Sequence, residues 1–485
     1  MPDVNVVGAG PNGLAAAVIL ARAGLSVQVT ERESRPGGAL RTEELTLPGF
    51  RHDVGSAVHP AALASPFFRA FGLTDRVPFI TPDVSYAHPL SGGRAVLAYR
   101  SVDRTADSLG RDSRAWAAVF QPLLNRLDGI VAFTGNQLLR WPDDPRAALD
   151  YGTRVLALGS ALSRLVFRGE EAAALFAGVA AHTPGRQPSL VTAGAGLLLA
   201  AHAHAGGWAY PEGGSQAIAD ALVADLLAHG GTLRLGVEVR SPADLEPARV
   251  TLLDTSPVFL ERFAGESLPA NYRRALRRYR YGSGVAKVDF ALSGPVPWAN
   301  PEVRLAPTVH LGGSRAEVLG AERAVARGQV APHPFVLLNQ PGVLDLTRAP
   351  GEAQTLWAYT HVPAGSGVDQ TEAIVRQIER FAPGFRQTVL ASTARSARGM
   401  AQLDPNLVGG DILGGAVTLR QLVKRPVLSR TPWKTPVPGL YLCSASTPPG
   451  PAVHGMNGWY AATLALRDEF GIEELPKLSP DTALA

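Results

Sequence analysis

Six residues near the start, Gly8-Ala9-Gly10-Pro11-Asn12-Gly13, carry the G-x-G-x-x-G spacing that turns a strand directly into a helix beside a phosphate. Gly8 permits the tight turn. Gly10 removes a side chain where a pyrophosphate must approach the backbone, and Gly13 lets the helix pack close on the strand. The helix start beyond them offers unpaired N–H groups and the positive end of its dipole. Glu31 follows Gly13 by 18 residues. A carboxylate there can hold ribose hydroxyls and would repel a 2′-phosphate. The chemistry implied is dinucleotide binding.

The elements needed to position these residues are legible around them. Val4-Asn5-Val6-Val7 is a short apolar run suited to a buried parallel strand. Residues 14–23 are rich in Ala and Leu and close at Gly24, which reads as a helix with a C-terminal glycine. Residues 25–30 form a second apolar strand ending at Glu31. A bare glycine turn in an ordinary α/β domain is the alternative, but here strand, helix, second strand and acidic end stand in register.

After Glu31 the chain reads Arg32-Glu33-Ser34-Arg35-Pro36-Gly37-Gly38-Ala39-Leu40-Arg41-Thr42. A glycine doublet so soon after the ribose acid, with arginine behind it, is foreign to nicotinamide dehydrogenases. It resembles the second motif of the flavin amine-oxidase and phytoene-desaturase superfamily. That resemblance implies FAD as cofactor, with Gly37, Gly38 and Arg41 along its diphosphate and ribityl chain. Ala39 stands where the family usually has arginine, so Arg41 is the substitute. Pro11, Asn12 and Arg32, beside the motif residues, join Gly8, Gly10, Gly13 and Glu31 as cofactor-binding candidates.

Further blocks extend the likeness over most of the chain in outline. Residues 48–56, Pro-Gly-Phe-Arg-His-Asp-Val-Gly-Ser, resemble the desaturase stretch under the flavin ring, which makes Gly55 and Ser56 candidates. Residues 206–215, Gly-Gly-Trp-Ala-Tyr-Pro-Glu-Gly-Gly-Ser, resemble the family's aromatic-Pro-x-Gly-Gly segment before a helix, expected over 216–229. A strand expected over 232–239 ends at Val239, where related flavoproteins hold the adenine by a backbone group. Residues 249–254 read as a strand returning to the same sheet.

The last block is a strand over 439–446, then a glycine loop and a helix from about Trp459 to Arg467. By resemblance it closes the flavin site through Ser446, Gly455, Met456 and Asn457. The wording of 406–415, NLVGGDILGG, is most like the branch of pyridine nucleotide-disulfide oxidoreductase domain-containing proteins. With Cys443 as the only cysteine, no redox disulfide is available.

The fold class expected is α/β: a Rossmann-like FAD-binding domain interleaved with a mixed α+β substrate domain. The FAD-binding parts are assigned to 1–64, 205–265 and 435–475, the substrate parts to 65–204 and 266–434, and a tail to 476–485. Helices are expected over 112–138, 146–167 and 371–381, and strands over 284–292 and 355–361. Residues 295–350 read as an irregular stretch or lid. Gly194-Ala195-Gly196 lacks a preceding strand, so it reads as close helix packing and not as a second nucleotide turn.

Composition narrows the classes further. Of 46 basic residues only four are lysines, and 42 acidic residues nearly balance them. No basic stripe with interleaved aromatics suggests nucleic acid. No apolar run reaches the roughly 18 residues of a membrane span. No signal peptide is expected, because Asp3 and the glycine turn stand where its charged and apolar regions belong. The expected location is cytoplasmic. Residues 154–168 set apolar residues between arginines; a core-facing helix is the favoured reading, and peripheral membrane contact the lesser one.

His59 and His454 lie nearest the expected ring and are the catalytic candidates, either as proton donor or base or as packed histidines bonded to backbone carbonyls. Tyr210 and Glu212 are weaker candidates for a cavity wall. Lys287 is the one plausible counterpart of the lysine that amine oxidases direct at flavin N5. No metal site is expected. The resemblance implies hydride transfer from a small hydrophobic substrate to flavin N5, with oxygen or quinone as diffusible electron acceptor. An amine oxidase, a redox-neutral isomerase and a non-catalytic lipid-binding relative are the alternatives.

Overall fold

In the computed structural model, which describes residues 1–480, Val4–Val7 pairs in parallel with Val27–Thr30 on one side and Val250–Leu253 on the other. Leu440–Leu442 and Thr232–Arg234 complete a five-stranded parallel sheet. Three distant stretches of chain thus build one Rossmann-like layer. Its first crossover helix, Pro11–Arg22, is buried over Asn12 to Ala21, since it packs between the sheet and the helices Gln216–Ala228 and Met456–Ala465. A helix enclosed on all sides need not be amphipathic, and its run of alanines permits the close approach. Residues 481–485, the end of the expected tail, lie outside the described residues.

The expected strand over 232–239 stops at Arg234, because Gly236 turns the chain at φ +70°. The C-terminal strand is likewise only Leu440–Leu442, and the helix after it starts at Met456 rather than Trp459.

The second sheet has seven strands. Their order is Val389–Arg395, Gly284–Leu292, Gln354–Val362, Val336–Asn339, Thr308–Leu311, Val84–Pro89 and Ala95–Tyr99. Two of the strands come from the stretch read as irregular, so that expectation is corrected. Thr308–Leu311 and Val336–Asn339 are each four residues long and wholly buried, too short to show a period between their flanking Pro and Gly. Between them runs the helix Arg315–Val325, started by a capping box in which Ser314 and Glu317 satisfy each other's backbone N–H.

The helical part also divides more finely than its periodicity implies. The span 112–138 becomes Ser113–Leu124 and Leu127–Thr134, and 146–167 becomes Pro145–Leu158 and Ser163–Val166. The second break falls at Gly159, where a Cβ would sit 2.7 Å from the Leu190 Cα. Gly196, in the helix Leu190–Ala205, would place a Cβ 2.9 Å from the Ala180 Cα. The small residues of that helix are packing residues, as read from the sequence.

A buried ionic knot joins strand Arg51–Asp53 to the segments beside it. Arg348 Nη1 lies 3.0 Å from Asp53 Oδ2, and its Nε donates to Asp345 Oδ2 at 2.7 Å, with all three side chains fully buried. Asp53 Oδ1 also accepts from Thr42 Oγ1 and from the Ser215 N–H, while Asp345 accepts from the Gly213 N–H. Removing the guanidinium leaves two uncompensated carboxylates in the interior, a cost of about 3–5 kcal/mol. Arg348→Met is therefore expected to lower the unfolding free energy measured by urea titration by that amount. A value within about 0.5 kcal/mol of the parent, roughly the spread of neutral surface changes, would show that the knot is not structural.

Candidate active site

The glycine turn is a set of contacts that no side chain fits. Gly8 has φ +99°, and a Cβ on Gly13 would lie 2.2 Å from the Gly8 carbonyl oxygen. The Gly37–Gly38 doublet lies against this turn: Gly37 N–H donates to Ala9 O at 2.8 Å, and a Gly38 Cβ would stand 3.2 Å from the Gly10 Cα. Glu31 closes the turn from the strand end, its two oxygens accepting from Ala9 N at 2.7 Å and Glu33 N at 2.9 Å. Arg41 is buried beside the doublet, 3.4 Å from both Glu33 and Glu43. Arg32 points elsewhere, to Glu33 and the Leu403 carbonyl.

Asp254, at the end of the strand Val250–Leu253, was missed in the sequence. Its Oδ2 accepts the Gly13 N–H at 2.9 Å, and a Cβ on Gly10 would lie 2.7 Å from that oxygen. Burial, with Asp404 and Glu31 nearby, pushes its carboxyl up to about 7. Its place at the carboxyl end of a parallel strand was the available signal.

The C-terminal block meets the turn directly. The helix Met456–Ala465 starts at Gly455 and packs against Pro11–Arg22, so that a Cβ on Gly458 would fall 2.0 Å from Asn12 O. Neither N-cap residue, Gly10 or Gly455, has a side chain to cap its helix, and among the described residues only the Gly13 and Met456 N–H groups are taken, by Asp254 and His454. Two such starts side by side present converging N–H groups and like dipole ends, an arrangement suited to an anion. Asn12 Oδ1 and Asn457 Oδ1 are buried without hydrogen-bond partners among the described residues. Ser446 Oγ donates to Gly414 O, in the NLVGGDILGG segment. Val239 packs in a separate cluster with Val7 and Leu253. The glycine-capped helix starts and the glycine contacts fit a diphosphate-bearing dinucleotide.

Next to this turn lies a second group. Ser56 N–H donates to Ala39 O, and a Cβ on Gly55 would come within 2.6 Å of the same oxygen. Ser215 Oγ donates to Ser56 O at 2.7 Å and so accepts from His59 Nε2 at 2.8 Å, which leaves the His59 Nδ1 lone pair unpartnered. His454 Nδ1 accepts from the Met456 N–H, so its proton sits on the unpartnered Nε2. Burial lowers both histidines to about 4, so both are neutral at pH 7. Tyr210 is buried with its hydroxyl on Pro341 O, whereas Glu212 is exposed. Cys443 is a free, buried thiol.

Lys287, on strand Gly284–Leu292, is buried between Asp289 Oδ1 at 2.5 Å and Asp53 O at 3.1 Å. Desolvation lowers its ammonium against the pull of Asp289. Its Nζ is 5.5 Å from the ring centroid of Trp357, which stacks on Tyr359 at 5.9 Å. Among the described residues no group of three or more His, Cys, Asp or Glu is arranged to hold a metal ion.

Residues 6–71 match the NAD(P)-binding Rossmann-like domain family. Over 96% of this chain and 93% of its own length, the rat pyridine nucleotide-disulfide oxidoreductase domain-containing protein 2 is 28% identical. The chain is similar to that protein over nearly the whole length of both. One of the limonene dehydrogenase subunits of Castellaniella defragrans is 36% identical over 25% of this chain and 22% of its own. Cyclohexylamine oxidase from Brevibacterium oxydans shares the fold, with TM-score 0.60 at 16% identity, over 97% of this chain and 99% of its own. The chain thus combines a Rossmann-like dinucleotide-binding domain with a fold shared with an amine oxidase, and it is similar over nearly its whole length to a protein named as an oxidoreductase.

Two outcomes follow from this geometry. Gly13→Val must displace the Gly8 carbonyl, so the variant is expected to fold yet lose flavin binding, read as lost absorbance in the flavin bands and an unchanged far-ultraviolet spectrum. Second, burial lowers eight of the eleven histidines (52, 59, 88, 182, 202, 204, 310 and 454). Each stays neutral in the fold but takes a proton in the unfolded chain, so its stability is present above pH 6.5 and lost as pH falls toward about 4. The most buried contribute on the order of 3 kcal/mol each. Asp254 runs the other way, its contribution lost as pH rises through about 7. Melting temperature should fall steeply between pH 6.5 and 4, with uptake of several protons on unfolding at pH 5 by calorimetry in two buffers; uptake of fewer than one would refute the buried neutral histidines.

Proposed function

We propose that the protein is an FAD-dependent dehydrogenase that removes hydride from a C–H bond of a hydrophobic substrate and leaves a double bond. The observation that carries the cofactor half is the pair of helix starts, each with glycine at its N-cap, meeting at the Gly8–Gly13 turn. Gly10, Pro11, Asn12, Gly13, Met456 and Asn457 would hold the diphosphate. Glu31 would exchange its bond from Ala9 N for ribose hydroxyls, and Gly37, Gly38 and Arg41 would follow the diphosphate toward the ribityl chain. Bound FAD supplies a two-electron acceptor.

Around the ring site, this chain supplies orientation and a dry, mostly uncharged enclosure. Gly55 and Ser56 hold a close backbone path under it, and Trp357 and Tyr359 add aromatic walls. The proton lost from the neighbouring substrate atom needs a base that is neutral at pH 7. The free Nδ1 of His59 meets that condition. The hydrocarbon named in one partial relative, limonene, supports an apolar substrate. The nucleotide-like glycines at 194–196 are used in helix packing, which supports a diffusible acceptor such as oxygen or quinone over a second bound nucleotide.

Amine oxidation is the second reading, favoured by Lys287 beside the Trp357–Tyr359 stack and by the fold shared with an amine oxidase. Purified protein should be yellow with stoichiometric FAD. Anaerobic mixing with terpenes or acyl compounds is expected to bleach it, while primary amines leave it oxidised. The reverse pattern, with Lys287→Met slowing reoxidation by oxygen at least about tenfold, would establish the oxidase reading; a colourless protein that refuses added FAD would end both.

A further inference from the structure

Large apolar side chains left in water are not spread evenly over this molecule. Among the described residues six of the eighteen that are exposed, Leu139, Trp141, Leu149, Leu156, Leu162 and Leu165, fall within 139–165. Single exposed leucines are ordinary, but a concentration of them marks a surface that meets something. In the helix Pro145–Leu158 the exposed Arg146, Leu149, Thr153 and Leu156 recur at spacings of three and four, one stripe along the outer side. The other side is fixed to the body. Tyr151 Oη donates to Gly194 O at 2.8 Å, Arg154 Nε donates to Val119 O at 2.8 Å, and Leu158 is buried. The short helix Ser163–Val166 packs on this one and adds Leu162 and Leu165, the latter 63% exposed. Val155, Leu158 and Val166 do pack in the core, but Leu156, Leu162 and Leu165 do not, so the expectation that residues 154–168 face the core is corrected.

The same surface carries positive charge that no acid answers. Among the described residues the exposed Arg111, Arg164 and Arg168 form no ion pair. Arg168 Nε donates to the Leu165 carbonyl and Arg111 to the Arg168 carbonyl, which keeps both guanidinium groups beside the exposed leucines. Arg164 stands between Leu162 and Leu165 in the chain. It is also close enough to Arg315 to disfavour the charge there, and Arg315 has only Ser163 Oγ, at 2.7 Å, as its partner. The acids nearby in the chain are already engaged: Asp143 with Arg140, Asp144 and Asp150 with Arg126, and Glu170 and Glu171 with Arg94.

From this arrangement we propose that the face docks the protein on an anionic phospholipid surface, with Trp141 and the leucines of both helices entering the headgroup–acyl boundary and Arg164 and Arg168 at the phosphates. Apolar residues alone suit many partners; the uncompensated arginines choose among them. A second copy applied about a two-fold axis sets Arg164 and Arg168 against their own equivalents. Anionic headgroups neutralise them instead, and the boundary beneath takes the leucines. Among the described residues no helix is long and apolar enough to cross a membrane, so the contact proposed is with its surface. The inference goes beyond the redox reading and does not rest on it. Vesicle binding is read without any flavin signal, so a colourless protein that still bound vesicles would sink the redox reading alone.

The test uses the full chain and vesicles of phosphatidylcholine, with or without an equal part of phosphatidylglycerol, followed by sedimentation. Binding to the anionic vesicles is expected to be at least about tenfold tighter than to phosphatidylcholine alone. It should weaken when salt is raised to about 1 M, where the screening length falls to about 3 Å. Leu162→Ser with Leu165→Ser should weaken it at least about tenfold, as should Arg164→Gln with Arg168→Gln. Leu390→Ser, at an exposed leucine on the edge strand Val389–Arg395, should leave it unchanged. Melting curves establish that each variant is folded; should a double variant not fold, tryptophan emission decides. Trp141 is 84% exposed, so the emission should shift to the blue on anionic vesicles and Trp141→Phe should lose that shift. Equal binding to both kinds of vesicle, unchanged binding in either folded double variant, an equal loss in Leu390→Ser, no shift traceable to Trp141, or self-association in place of vesicle binding would each overturn the assignment.

Discussion

Two helices that start against each other bring together charges of the same sign, roughly half a unit at each N-terminus. Nothing in the packing of Pro11–Arg22 on Met456–Ala465 relieves this; Gly458 removes the side chain that would hold them apart. The chain answers with carboxylates. Asp254 takes the Gly13 N–H and Glu31 the Ala9 N–H. The turn is therefore held in shape by groups that imitate an anion, and a diphosphate entering it finds donors already aimed. Burial raises the Asp254 carboxyl to about 7 against the Gly13 N–H bond, and Asp404 and Glu31 add to the rise.

The second constraint lies where the two sheets meet. Asp53, Asp289, Asp345, Lys287 and Arg348 are buried, and each is satisfied mainly by another member of the set or by a backbone group. Such networks contribute little net stability against an apolar replacement but fix one arrangement. Here they fix strand Arg51–Asp53, the Gly213–Ser215 turn and strand Gly284–Leu292 relative to one another. His59 is oriented by the same structure, through Ser215.

Legibility of the sequence followed locality. The turn from Gly8 to Glu31 could be read because its own residues, the glycines and the acid that bonds Ala9, lie close together in the chain, and the role of glycine is steric. Lys287 could be placed on its strand, but not its Asp289 partner two residues on, since a side-chain pair on one strand face has no sequence signature apart from spacing. Asp254 acts on Gly13 and Arg348 on Asp53 across more than 200 residues, and apart from the place of Asp254 at a strand end no local pattern announces either contact. Thr308–Leu311 and Val336–Asn339 were hidden by shortness, and Leu162 and Leu165 by a helical period that says which residues share a face but not whether that face is covered.

The interleaving of the parallel sheet bears on biosynthesis. Its central strand, Val4–Val7, leaves the ribosome first, yet Val250–Leu253 and Leu440–Leu442 must be made before that sheet is complete. For most of translation the nascent chain holds an apolar strand with an open edge, the state in which chaperones engage and aggregates nucleate. Truncation even a few dozen residues short of the end removes both a strand and the helix Met456–Ala465.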